Sequence, residues 1–156
     1  MTTSAGHSRK VFTPQEANAA LPLVRAIVRD VVHLAREVAE RRQRVTALSA
    51  VRAGRPSDVY SEELAQAEEE LQRDVHQLQQ YAAELEELGV ELKSATEGLV
   101  DFPTVIDGRA AYLCWKYGEA EVRFWHELDT GFAGRRPLPL GEDRGRQPGC
   151  QPDLSR

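Results

Sequence analysis

Two apolar stripes, each as long as a long helix and separated by one break, constrain this chain more than any other feature. Val24, Ile27, Val28, Val31, Leu34, Ala35, Val38, Val45 and Leu48 recur at spacings of three, four and seven. So do Leu64, Ala67, Leu71, Val75, Leu78, Ala82, Leu85 and Leu88, until Gly89 closes the run. That spacing lays one side of a helix against a neighbour. The interruption, Ala53-Gly54-Arg55-Pro56-Ser57, is short and rich in helix breakers, so the arms are expected to fold back as an antiparallel, coiled-coil-like hairpin. Thr13-Pro14-Gln15-Glu16 carries a capping hydroxyl, a proline at the first helical position and a glutamate three residues after the cap. Pro22 lacks a backbone donor, which predicts a short helix at about 14–20, a kink or fresh start, then long arms over 23–50 and 60–88.

Charge divides unequally between the arms. Residues 9–55 carry ten Lys or Arg against four Asp or Glu, and residues 58–97 carry two against twelve. Arg29, Arg36, Arg41 and Arg44 can face the acidic arm, setting pairing and solubility. Over the whole chain the net charge is −5, which argues against a protein that holds nucleic acid mainly through phosphate contacts. No apolar stretch approaches the roughly 20 residues of a membrane span, and the first ten residues do not resemble a secretory signal, so a cytoplasmic location is expected. The two cysteines, Cys114 and Cys150, lack CxxC or Cys/His zinc spacing.

After Gly89 the character changes. From residue 99 the period becomes two, with strands over 99–106, 109–116 and 120–128 bounded by Asp107-Gly108 and Gly118-Glu119. Two-residue turns there pair Phe102 with Leu113, Lys116 with Glu121, Leu113 with Phe124 and Ala111 with His126. One face then shows Phe102, Leu113, Trp115, Val122, Phe124 and His126, to be covered by the hairpin; the other shows Asp101, Tyr112, Cys114, Arg123 and Trp125. The expected fold is α+β: a long helical hairpin packed on a small three-stranded antiparallel meander. A single domain over 11–138 would hold the hairpin (14–89), the meander (99–128) and a Gly/Arg loop (129–137), between poorly ordered tails at 1–10 and 139–156.

Several blocks are distinctive: Phe12-Thr13-Pro14-Gln15-Glu16-Ala17-Asn18 with Leu21-Pro22, then Gly98-Leu99-Val100-Asp101-Phe102-Pro103, Tyr112-Leu113-Cys114-Trp115, and Phe124-Trp125-His126-Glu127 followed by Gly131-Phe132-Ala133-Gly134-Arg135. Over residues 11–138 the chain resembles the DUF2203 family of uncharacterised bacterial proteins. The resemblance implies no settled activity, cofactor or substrate.

The chemistry-bearing residues cluster after Trp115. His126 with Glu119, Asp129 and, from the first helix, Glu16 offers the imidazole and carboxylates that a divalent transition metal such as Zn, Mn or Fe accepts. The plainer expectation is a core histidine facing the hairpin beside Phe124 and Leu113. Asp101, Cys114 and Arg123 are expected side by side, as a salt bridge with a bystander thiol. Tyr112 and Trp125 are expected as a pair on that face, an interface for a partner, and Arg135 can assist anion binding in the Gly/Arg loop. The plainer reading of that loop wraps it onto the helices, with Phe132 plugging the core. No GxGxxG, Walker A, GxSxG or HExxH pattern occurs.

Three classes of function fit. The favoured one is a non-enzymatic interaction or scaffold module that binds a protein partner or a second copy, as a homodimer, through the hairpin or the Tyr112/Trp125 face. The second is a small metal-binding protein or enzyme centred on His126. The third is a transcription-associated factor that uses the hairpin tip, Arg55, Asp58 and Glu62, as a probe. The balance leans away from an enzyme.

Overall fold

The structure, a computed structural model, describes residues 10–54 and 58–139. Of the tails expected at 1–10 and 139–156, all but residues 10 and 139 lie outside the described residues, as does Arg55 of the hairpin turn.

Helix α1 spans Pro14–Gly54 and α2 spans Asp58–Glu87. The expected cap forms: Glu16 N–H donates to Thr13 Oγ1 and Thr13 N–H donates to Glu16 Oε1, each at 3.0 Å. Phe12, just before the cap, is buried edge-on against Phe102 with ring centroids 5.1 Å apart. Its N–H donates to Pro103 O at 2.8 Å and its carbonyl accepts from Thr104 Oγ1 at 2.6 Å, so the entry to α1 is bonded to the sheet. The break expected at Pro22 does not occur, because α1 is continuous through it. Pro22 sits on the exposed side and spares only the Asn18 carbonyl, while Leu21 and Val24 beside it are held in the core.

The arms run antiparallel. Arg41 bridges Glu70 at 2.6 Å and Asp74 at 2.7 Å, Arg44 meets Glu63 at 3.0 Å, and Arg52 Nε donates to Ser61 at 2.9 Å. Arg29 pairs instead with Asp30 of its own helix. Val90 N–H returns to Leu85 O at 2.9 Å past Gly89, whose φ of 89° permits the reversal out of α2.

The sheet has five antiparallel strands rather than the three expected: β1 (Glu91–Ser94), β2 (Leu99–Ile106), β3 (Arg109–Lys116), β4 (Phe124–Glu127) and β5 (Arg136–Pro137), in that order across the sheet. β1 and β5 escape the sequence pattern because one is four residues of mixed polarity and the other is two residues ending in proline. The β2–β3 register is the expected one, through a turn in which Asp107 and Gly108 both take positive φ.

The β3–β4 register is one residue away from the expected one. Leu113 pairs with Trp125, Tyr112 with His126 and Cys114 with Phe124. The expected strand over 120–123 is drawn off the ladder by α1. Asn18 accepts from Val122 N–H at 2.7 Å and donates to Val122 O at 3.3 Å, and Arg25 donates to Ala120 O at 3.0 Å. Glu119 tightens the same connection, its Oε1 accepting from Lys116 N–H at 3.0 Å. Because side chains alternate, this slip turns every residue of β4 over. Trp125 now packs against the helix-side core of Val100, Phe102, Leu113 and Trp115, and His126 points to the other face.

That core takes in α1 from Ala17 to Val32 and α2 at Leu85. Residues 33–54 of α1 run on for about 33 Å at ~1.5 Å per residue, with α2 beside them, so the hairpin projects past the sheet. Among the described residues, no helix is long and apolar enough to cross a membrane.

Candidate functional site

The face of the sheet turned away from the helices carries three buried polar groups in contact. Asp101 on β2, Cys114 on β3 and His126 on β4 are 2%, 0% and 2% exposed. Asp101 pairs directly with Cys114 across the β2–β3 ladder, and His126 reaches over from the far side of β3. His126 Nε2 lies 3.0 Å from Asp101 Oδ2, and Nδ1 lies 2.7 Å from the Glu127 carbonyl. A carbonyl only accepts, so Nδ1 is the donor to Glu127 and Nε2 is the nitrogen turned to the Asp101 carboxylate. Tyr112 covers the imidazole, with ring centroids 5.4 Å apart, and is tied by its hydroxyl to Glu91 at 2.9 Å.

Burial raises the Asp101 carboxyl above the ordinary carboxylate range, with the charge and hydrogen bond of His126 opposing it. Burial, then the adjacent Asp101 charge, push the Cys114 thiol up to about 12, against the pull of Arg135. A thiol so placed is protonated at neutral pH and shielded, which removes the features a cysteine nucleophile needs. Neither imidazole nitrogen serves it, since both are engaged elsewhere. Asp101 Oδ1 is also buried and has no hydrogen-bond partner among the described residues. The polar group beside the carboxylate is the Cys114 thiol, a weak donor.

Arg135 closes the cluster. Its Nη1 is 3.6 Å from Cys114 Sγ and its Nη2 pairs with Glu119. The guanidinium stacks on Phe124 at 3.9 Å and Phe132 at 4.5 Å from the ring centroids. The turn that brings Arg135 here is the short 3₁₀ segment Phe132–Gly134.

A family model described as an uncharacterized conserved protein (DUF2203) matches residues 10–138 of the 156-residue chain. The chain belongs to the DUF2203 family. No curated protein and no solved structure matches it. Asp101, Cys114, His126 and Arg135 all fall inside the residues that match the DUF2203 model.

The DUF2203 fold redistributes the residues singled out from the sequence. His126 does not face the hairpin, because the register slip turned it outward. Glu16, Glu119 and Asp129 do not join it: Glu16 is spent on the helix cap, Glu119 on Arg135 and the Lys116 amide, and Asp129 is exposed beyond β4. Arg123 is absent from the Cys114 environment, being exposed and paired with Glu121 at 2.8 Å, and Arg135 stands in its place. Tyr112 and Trp125 lie on opposite faces, so no aromatic pair forms. Phe132 does not plug the helix-side core but lies half-exposed under Arg135 and Lys116. Asp101 and Cys114 were recognisable neighbours from the hairpin turn; their meeting with His126 was hidden by the register.

A groove of about 1030 Å³ lies elsewhere, between the start of α1 and the sheet, lined by Thr13, Asn18, Ile106, Leu113, Val122 and Leu138 among others. None of its lining residues is a buried titratable group.

Proposed function

We propose that the protein is a non-enzymatic interaction module that associates with a second copy of itself through the projecting part of its helical hairpin. The observation that carries this reading is the apolar stripe in the middle of α2: Leu71, Val75, Leu78 and Ala82 are only half-buried although α2 is already packed along α1. Two helices cover one side of such a stripe and leave its flank to a third. Val51 and Val59 stand exposed near the tip, at 40% and 70%.

Charge favours a second copy over an unrelated partner. The exposed surface of the projecting part of α1 offers Arg36 and Arg42, and that of α2 offers Glu62, Glu68 and Glu69. A two-fold pair of hairpins sets the basic helix of one against the acidic helix of the other, twice, which an isologous interface requires.

Sedimentation equilibrium on the full chain at micromolar concentration is expected to give about twice 17.4 kDa. Glu68→Arg with Glu69→Arg, on the exposed side of α2, is expected to return the monomer without loss of helicity. A monomer at all concentrations up to the millimolar range would overturn the reading.

A further inference from the structure

We propose that Asp101, Cys114 and His126 form a binding site for one zinc-class divalent cation on the sheet face away from the hairpin. The site is independent of the association argued above.

The donor set selects the ion. A thiolate and an imidazole with one carboxylate suit borderline cations such as Zn²⁺, whereas Mg²⁺ and Ca²⁺ prefer shells of oxygen. Spacing agrees. With ligands about 2.0–2.3 Å from the ion, donor atoms of a tetrahedral site stand roughly 3.3–3.8 Å apart. The donor atoms of these three residues all lie within 4.8 Å of one another, with Nε2 and Oδ2 at 3.0 Å, so the cluster brackets that spacing.

A second observation points the same way. Asp101 Oδ1 is a buried carboxylate oxygen without a well-formed hydrogen bond among the described residues, in a side chain 3% exposed, the carboxylate's contact with Cys114 being to a weakly donating thiol. Buried polar atoms are rarely left so, and a cation in the cluster satisfies it. The surroundings are those of a ligating histidine: Nδ1–H donates to the Glu127 carbonyl, which fixes the ring and aims Nε2 at Asp101. Arg135, held by Glu119, lies against the sulfur and supports a negative thiolate.

Charge balances without any partner. One carboxylate and one thiolate offset the two charges of the dication, the thiol proton leaving as the ion binds, and the imidazole ligates as a neutral group.

The test is titration of the full-length Cys150→Ala chain, purified without a histidine tag, with Co²⁺ alone. The cation is supplied both to native protein and during refolding, so that slow entry is not mistaken for absence of a site. The expected result is one Co²⁺ per chain, with thiolate-to-cobalt charge-transfer absorption and tetrahedral visible bands, displaced by one equivalent of Zn²⁺. Cys114→Ser is expected to abolish the charge-transfer band. Asp101→Asn keeps a hydrogen bond to Nε2 and therefore the fold, checked by circular dichroism, yet is expected to weaken binding at least 100-fold. Arg135→Gln, which removes the guanidinium lying against the sulfur, is expected to weaken it about 10–100-fold. Absence of the charge-transfer band from the Cys150→Ala protein under both conditions, or its persistence in Cys114→Ser, would overturn the proposal.

Discussion

Asp101 and His126 are bonded at 3.0 Å although a whole strand, β3, runs between the strands that carry them. The contact exists because His126 lies opposite Tyr112 and leans toward Cys114, the ladder partner of Asp101. Had β4 paired one residue earlier, the imidazole would point into the helix-side core and Asp101 would keep only a thiol for company. The cluster is therefore a product of the loop that precedes β4, and above all of its attachment to α1.

Asn18 is the residue on which that attachment depends. Its amide bonds both polar groups of the Val122 backbone and also donates to Pro14 O at 3.0 Å. Asn18→Ala leaves the Val122 amide unmatched beside the core and is expected to cost about 1–3 kcal/mol. Urea unfolding followed by tryptophan fluorescence measures this. A loss under ~0.5 kcal/mol would show that water replaces the amide and that the register has another origin.

Gly98 is expected to tolerate no side chain. Its φ is 69°, and a Cβ would stand 2.5 Å from Tyr117 Cβ and 2.9 Å from Val32 Cγ2. Gly98→Ala combines left-handed backbone strain with overpacking between the β1–β2 turn and α1, an expected loss of roughly 2–5 kcal/mol. Thermal unfolding should show a fall of many degrees, or an insoluble product. Gly108, with open space around it, is the control for backbone strain alone.

The leucines of α2 are expected to separate into two kinds. Leu85 is fully buried where both helices meet the sheet, and Leu85→Ala should cost about 2–5 kcal/mol at any protein concentration. Leu71 is half-buried on the projecting part. Leu71→Ala should cost less in dilute protein, and its cost should grow as concentration rises, because association contributes to stability by mass action. Denaturant midpoints at two concentrations a hundredfold apart distinguish the cases.

Cys114 is expected to resist alkylation in the native, metal-free chain. The side chain is inaccessible, and with its thiol pushed up to about 12 the reactive thiolate does not accumulate when the pH rises past the ordinary cysteine value of 9.0. In a Cys150→Ala background, iodoacetamide at pH 9 should leave the native protein unlabelled while labelling it fully in denaturant. Rapid native labelling would mean that the face over Cys114 opens readily.

Much of the architecture was readable from the order of residues. The helical periods, the Thr13–Glu16 cap, the Gly89 stop and the Asp107-Gly108 hairpin are encoded locally, by which residues fit a stripe, a cap or a positive φ. Local rules mislead at Pro22, where burial of Leu21 and Val24 outweighs a missing hydrogen bond. They also mislead at Gly118-Glu119, which has the composition of a hairpin turn but leads into a segment bound to α1.

The site, by contrast, was decided by the tertiary structure. Three strands, the Phe132–Gly134 turn and a helix residue some hundred positions upstream, Asn18, had to be placed before Asp101, Cys114, His126 and Arg135 could meet. Faces of a strand alternate, so a single added or lost residue in one connection reverses which side chains share a surface. Periodicity within β4 could say that Trp125 and His126 point opposite ways. Which of them turned toward the helices depended on the competition between the Asn18 amide and the sheet for the Val122 backbone, and that competition exists only in the folded chain.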